Sequence, residues 1–424
     1  MAGVTDLIIV GGGAAGLACA VAGARQGLKV TVLERTERCG HKLALTGGRK
    51  GNFTHVATPR EMAGRFDCEP GLVMPLLRRF PFQRIVRFFD DMGIDSRVDA
   101  EGCVWPARTN AAGIRDALLE ELGRSGGAVR TRVRIAEVRP GWTITTDRRD
   151  EVRARNVCIA TGGASYPQTG STGDGIRIAA GLGLATTPWF AALASLKTRD
   201  DLGELAGISL PLVHMGLLTG RDPGDMQLRR EATGHFIFAH EYASGSSVLN
   251  LCGFAARALT LGEKAVLRVD WVPQSNAQQL AAAIGKAREK QNRAKVTTVM
   301  AAWVSCRLAA RLCGFAGVPE DRLMAGLSRG EAEAIVRKLK ATDLAIAGIE
   351  PIERATVTGG GVGLDEVDMT TMAAKRFPGL YFAGEVLDLW AETGGYNLHF
   401  AWASGMRAAE SVAGRRPQSG QTSG

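Results

Sequence analysis

No stretch of the 424 residues is apolar for the roughly 20 positions that a membrane-spanning helix needs, so a spanning helix is excluded. The eight cysteines (Cys19, Cys39, Cys68, Cys103, Cys158, Cys252, Cys306, Cys313) form no Cys-x-x-Cys pair and no ligand spacing. That argues against a disulfide framework and a metal, and leads to the expectation of a reduced, cytoplasmic chain with ordinary buried thiols. The apolar N-terminus MAGVTDLIIVGGGAAGLACAVAGA has no basic leading segment and is interrupted by Asp6, so a buried strand and helix fit it better than a secretion signal. RNA-binding signatures of the RRM or KH kind are also missing.

What is present is long enough for two or three domains, with 45% hydrophobic and 22% charged residues. The formal charge is +9, and residues 273–340 hold twelve Lys/Arg against five Asp/Glu, a local net of +7. A concentration of this kind suits an anionic partner; a solvated helix face is the alternative.

The segment DLIIVGGGAAGLACAVAGARQGLKVTVLER reads as strand, turn, helix, strand. Gly11, Gly13 and Gly16 supply G-x-G-x-x-G: a tight turn, a close approach to a pyrophosphate, and helix packed on strand. The helix start at Ala14 and Ala15 offers unpaired N–H groups to the phosphates. Glu34 follows Gly16 by eighteen residues at a strand end, where a carboxylate accepts ribose hydroxyls and repels a 2′-phosphate. The site is therefore for FAD or NAD, not NADP.

Two later segments favour FAD. The strand expected at Val157–Ala160 ends in Thr161-Gly162-Gly163. Near the C-terminus a strand expected at Leu380–Ala383 runs into Gly384-Glu385, then a glycine pair, then a helix from about Asn397 to Val412. An acid after the last glycine suits a ribityl hydroxyl, and a helix N-terminus suits the anionic edge of a reduced flavin. TGGGVG (358–363) lacks a following helix and reads as a turn facing the flavin region. No second nucleotide fold for NAD(P)H is visible.

The strings ATGGASYPQTGSTGDG, HEYASGSSVLNL, TGGGVGLDEVDMTTMAAKRFPGLYFAGEVLD and TGGYNL with AWASG span essentially the whole chain. On these the sequence resembles the BaiN/YhiN-type flavoproteins, often labelled the aminoacetone-oxidase family, within the flavoproteins that have two dinucleotide-binding folds. The resemblance implies non-covalent FAD held at Gly11, Gly13, Gly16, Glu34 with Arg35, Thr161, Gly162, Gly384, Glu385 and the turn Gly395, Tyr396, Asn397, Leu398. It also places Ile135 at the strand position whose backbone meets the adenine. In that family the loop after the second strand has a Lys-Leu lead, a Ser/Thr, three glycines, then Arg-Cys-Asn and Thr-Asn. Here Lys42, Thr46 and Asn52 are the implied flavin contacts, Arg49 replaces the third glycine, Lys50 keeps a positive charge, and Gly51 stands where relatives often have cysteine. His399 stands where they commonly carry glutamine.

Between Pro188 and about Glu350 the βα pattern stops. LVHMGLLTG, GHFIFAH, SSVLNLC and KAVLRVDWVP read as short strands of an antiparallel barrel or sheet, and from Ser275 the period becomes helical, with Ser328 and Glu331 as a capping box. The expected class is α/β: a Rossmann-like, GR-type FAD-binding domain (1–190 and 351–424), an inserted antiparallel β subdomain (191–274 and 341–350), and a basic helical subdomain (275–340). The resemblance implies that the insert forms one wall of the substrate site.

Proton handling falls to few groups: His240 and Tyr242 on the insert, and His399 at the last helix. Arg49 and Lys50 are candidate anion contacts, as are Lys286, Arg288, Lys290 and Arg293 in KAREKQNRAK. Three functions compete. A flavin reductase of a conjugated C=C bond, with NAD(P)H as external donor, covers the reductions linked to the family: bile-acid-type enones, and uridine to dihydrouridine in ribosomal RNA. The others are an oxygen-using amine oxidase and a flavin-bound sensor without turnover. The substrate is a small molecule or RNA, and no membrane is involved. Oligomeric state has no signature here.

Overall fold

The computed structural model describes residues 5–415 in two compact units. One comprises the described residues up to Phe190 and from Ile352 onward; the other is Ala191–Pro351.

In the first unit, the run TDLIIV forms the strand Thr5–Val10, buried along five of its six residues as a parallel strand covered on both faces must be. It lies between Val30–Leu33 and Glu151–Ile159, parallel to both. Outside these lie Ala128–Arg130 and Leu380–Phe382, also parallel, so the first and last thirds of the sequence share one sheet. The helix Ala14–Arg25 and the last helix, Gly394–Ala413, cross where a Cβ on Gly405 would stand 2.2 Å from the Ala15 carbonyl oxygen. A small antiparallel sheet of Thr54–His55, Cys103–Pro106 and Ser96–Val98 flanks the loop that precedes it.

In the second unit, six strands close an antiparallel barrel in the order Leu196–Thr198, Tyr242–Ser244, Gln227–Phe238, Ser209–Gly220, Lys264–Asp270 and Thr342–Ile349, the last pairing back to the first. Helices Ala277–Lys290, Val296–Met300, Cys306–Phe315 and Arg329–Lys340 fill the segment between the last two strands. The Ser328/Glu331 capping box is present, and Asn276 with Gln279 forms a second.

Three expectations need correction. SSVLNLC opens a helix, Ser246–Thr260, not a strand; its buried Val248, Leu251, Cys252 and Ala255 keep the 3.6-residue period, which seven residues alone are too short to display. TGGGVG is not a turn: Thr358–Val362 is a buried strand beside Thr186–Ala191, and a Cβ on Gly360 would meet the Pro188 carbonyl at 2.3 Å. The last helix starts at Gly394, so residues 395–398 are its first turn and not a loop before it.

Among the described residues, no helix is long and apolar enough to cross a membrane, and no three acidic, His or Cys groups cluster as a metal site.

Candidate functional site

The first strand delivers the chain to Gly11 at φ 104°, a conformation that L side chains rarely adopt. A Cβ there would stand 2.5 Å from the Ala160 carbonyl, and one on Gly16 would stand 1.9 Å from the Gly11 carbonyl. Gly13 differs from both, since nothing lies within 4 Å of where its Cβ would be. It is the N-cap of the helix that begins Ala14-Ala15, and no side chain caps that helix, so the N–H groups of its first turn face open space. Glu34, 8% exposed, stands at the side of this turn. Its carboxylate accepts from the Gly12 N–H at 2.8 Å, the Thr36 N–H at 2.8 Å and the Thr36 hydroxyl at 2.9 Å, which fixes the group and leaves lone pairs for hydroxyl donors. Gly11, Gly13, Glu34, Lys42, Ile135 and Thr161 line one open groove. Arg35 lines it too, but its guanidinium turns to Thr172 and to the Asp174 carboxylate, 2.9 Å away. Gly162 follows at φ 71°.

A second set of residues meets from four distant segments. The Lys42 ammonium donates to Ser165 Oγ at 2.7 Å and to the two Glu385 oxygens at 3.0 and 2.9 Å. Glu385 also accepts from the Ser165 hydroxyl at 3.0 Å and the Thr358 N–H at 2.9 Å, while Thr358 Oγ1 accepts the Ala164 and Ser165 N–H groups. Gly384, just before, donates its N–H to Ser404 Oγ in the last helix at 3.0 Å.

The loop 46–52 borders the start of that helix. Gly47, Gly48, Arg49 and Gly51 all have positive φ. Arg49 holds φ 72° at a cost of roughly 1 kcal/mol. The Thr46 hydroxyl donates to the Leu43 carbonyl at 2.7 Å. The Asn52 amide packs on Gly395, whose Cβ would fall 2.7 Å from Asn52 Nδ2. Asn52 Oδ1 and Thr393 Oγ1 are both buried without a hydrogen-bond partner, beside a helix N-terminus that no side chain caps. Buried polar atoms left open in this way call for a polar ligand edge. Asn397 is no such ligand contact through its amide, which bonds the Ala391 N–H and carbonyl and the Thr393 carbonyl. Leu398 is half-buried and Tyr396 buried, its ring stacked on His55.

His399 is corrected as a proton carrier. It is fully buried, one ring nitrogen pairs with the Thr54 hydroxyl at 2.7 Å and the other with the Phe80 carbonyl at 2.9 Å, and burial lowers its pKa to about 4. A neutral ring with both nitrogens engaged braces the last helix. His240 and Tyr242 belong to the second unit, exposed and half-buried respectively. Arg49 and Lys50 are exposed, as are Lys286, Arg288, Lys290 and Arg293. A Cβ on Gly51 would meet Ile114 Cδ1 at 2.9 Å and Ala111 Cα at 3.0 Å, so this backbone has no room for a thiol there. Burial pushes the thiol of Cys103, in the small sheet beside this loop, up to about 11.

Residues 5–411 match the HI0933-like protein Rossmann domain, nearly the whole chain. The chain belongs to the HI0933-like family. This is the BaiN/YhiN-type family of FAD-dependent flavoproteins. The chain is 29% identical to 3-dehydro-bile acid delta(4,6)-reductase of Clostridium scindens over 413 residues, 96% of this chain and 98% of that one. It is 27% identical to the ribosomal RNA dihydrouridine synthase of Escherichia coli K12 over 422 residues, with the same coverages. Among solved structures it is similar to 3-ketosteroid delta1-dehydrogenase from Sterolibacterium denitrificans at TM-score 0.54, covering 97% of this chain and all of that one; at 14% identity this is a likeness of fold.

The residues of this HI0933-like chain fit FAD. The open space over Gly13, the uncapped first turn, the anchored Glu34 and the two unanswered polar atoms at the last helix each leave room or valence for a long, polar dinucleotide. Ser165 and Thr358 escaped the sequence reading although both lie inside quoted strings, because their hydroxyls gain meaning only where Lys42 and Glu385 meet them.

Proposed function

We propose that the chain is an FAD-dependent reductase of a conjugated C=C bond, and that its substrate is uridine in ribosomal RNA, reduced to dihydrouridine. The first turn after Gly13 would hold the pyrophosphate, Glu34 the ribose of the adenosine half, Ile135 the adenine, and the Lys42–Glu385 pair with Asn52 the flavin end. Bound FAD supplies hydride transfer. NAD(P)H as external donor completes the cycle. The names of the two relatives, a reductase and a dihydrouridine synthase, favour reduction over amine oxidation.

The observation that carries the RNA reading is the charge at the end of helix Ala277–Lys290. Lys286, Arg288, Lys290, Arg293 and Lys295 are exposed, and among the described residues none has an ion-pair partner. Unpaired cations of this density gain from releasing counterions off a phosphate backbone, by a slope of about 0.7–0.9 in log K per phosphate contacted. Mass spectrometry of ribosomal RNA from a deletion strain tests the reading: one uridine should lose its two-dalton increment. An unchanged RNA would refute it. Charge reversal at Lys286, Arg288, Lys290 and Arg293 should abolish salt-sensitive RNA binding.

A further inference from the structure

The cations of KAREKQNRAK sit on a backbone that is tied down. Gln291 closes the helix Ala277–Lys290 on the Ala287 carbonyl at 2.7 Å, and the chain then runs beside residues 322–325. The Val296 N–H donates to the Arg322 carbonyl, the Met324 N–H to the Ala294 carbonyl and the Ala325 N–H to the Asn292 carbonyl, each at 2.9 Å. Lys295 and Leu323 are the facing pair of this antiparallel bridge. Their neighbours make its hydrogen bonds, so the Lys295 N–H points to the open edge. Neither that N–H nor the Arg293 N–H has an acceptor among the described residues. Basic residues in a last turn answer the free helix carbonyls, which accounts for Arg288 and Lys290. Arg293 and Lys295 lie beyond the helix, and that account does not reach them. The exposed amides of Gln291 and Asn292 stand in sequence between the two groups of cations. No Phe, Tyr, Trp or His occurs from Val272 to Ala302, so this arm offers no ring on which an unpaired base could stack. Leu323 is 45% exposed beside Lys295, too little apolar surface to enter a lipid boundary.

We propose that this arm docks on double-helical RNA, gripping phosphates and ribose 2′-hydroxyls without reading sequence. The proposal rests on the RNA reading above and names the part of the RNA that the insert holds. Cations and open main-chain N–H groups suit phosphate oxygens, and such contacts fix position but carry no sequence information. Side-chain amides suit the 2′-hydroxyls displayed in the wide minor groove of an A-form helix. The choice of uridine then falls to other residues. A pinned backbone loses little freedom when it binds, so the arm fits a stiff duplex better than a strand that must itself be ordered. Five phosphate contacts give a slope of about 4.5 in log K against log salt, or roughly a 500-fold loss between 50 and 200 mM.

The test titrates the full-length, FAD-loaded protein by fluorescence anisotropy against four probes. These are a labelled ribosomal RNA stem, the same stem with its base pairs exchanged, one of its strands alone, and the DNA duplex of the same sequence. The two RNA stems should bind within about twofold of each other, and the single strand and the DNA duplex should bind more weakly. Arg293→Gln with Lys295→Gln should melt like the wild type, since both side chains are exposed, and should lower the salt slope by about 2 for both stems. Gln291→Ala with Asn292→Ala should narrow the gap between RNA and DNA duplexes. A single strand bound as tightly as the stem, a clear preference between the two stems, a DNA duplex bound as tightly as RNA, or an unchanged slope in the first double variant overturns the proposal. Capture by phosphatidylserine vesicles at a salt concentration where the stems no longer bind also overturns it, and gives the arm to a membrane surface. The two readings fail separately. Ribosomal RNA that keeps its dihydrouridine in a deletion strain, with stem binding intact, refutes uridine reduction and leaves the docking surface standing. Loss of that dihydrouridine, with no stem binding, refutes the docking surface alone.

Discussion

Adding a single methyl group at Gly13 separates folding from cofactor binding. Gly13 has φ −80° and ψ −168°, a conformation open to alanine, and nothing in the protein lies within 4 Å of the new Cβ. Gly13→Ala should therefore leave apoprotein stability unchanged or raise it by about 0.4–1 kcal/mol through the unfolded chain. The same methyl enters the space over the first turn and displaces a phosphate from charge-assisted N–H bonds worth roughly 1.5–3 kcal/mol, which is about a 10- to 150-fold loss of FAD affinity. Gly16→Ala is the contrast: its Cβ would overlap a backbone carbonyl at 1.9 Å, so the apoprotein itself should lose about 3 kcal/mol. Flavin fluorescence titration and thermal melts of both variants, with and without FAD, measure the two effects. At a hundredfold excess over Kd, FAD should add about 2.7 kcal/mol to the wild type. Gly13→Ala at the same FAD concentration should show a clearly smaller increment. If Gly13→Ala binds FAD within twofold of wild type, the pyrophosphate does not pass over Gly13 and the assignment of the groove is wrong.

Gly51→Cys should destabilise the apoprotein by about 1–3 kcal/mol, since φ is 83° and the side chain meets Ala111 and Ile114; a neutral melt would show that the loop repacks. His399 stays neutral in the fold down to about pH 4 while the unfolded chain takes up its proton near 6.5, so unfolding binds a proton in that window and stability falls as pH drops. The gap between those two values corresponds to about 3 kcal/mol, read by urea unfolding at pH 7 and pH 4, and His399→Gln should flatten that slope. Lys42→Met leaves the Glu385 carboxylate without its cation and should cost about 1–3 kcal/mol, a moderate figure because both side chains are 22% exposed. The double variant with Glu385→Gln should recover part of that loss in a thermal-melt cycle.

The adenosine half of the site is legible in the sequence because backbone geometry dictates it. A turn at φ 104° and a 1.9 Å crossing admit only glycine in the fold itself, and a phosphate's close approach keeps the position between them bare, so Gly11, Gly16 and Gly13 write the motif directly into nearby positions. Glu34 is legible for the same reason, lying at the end of the next strand. The barrel was legible as alternating runs, but SSVLNLC was not, since its helical period emerges only over the fifteen residues Ser246–Thr260. TGGGVG misled because glycines that permit close strand packing look the same in sequence as glycines that form a turn.

The chemistry at the other end has no such local signature. Lys42 and Glu385 are 343 positions apart, and the Ser165 and Thr358 that join them meet the pair only in the fold. Conversely, His399 invites a catalytic reading because histidine titrates near neutrality. Burial and two committed nitrogens remove that capacity, and only the fold reveals them. Cofactor recognition by main chain constrains neighbours in sequence, whereas proton delivery needs a donor with a free hydrogen and a route to water, properties of convergence between distant segments. The imidazole of His399 meets neither requirement. Substitution at His399 should therefore alter the fold before it alters turnover.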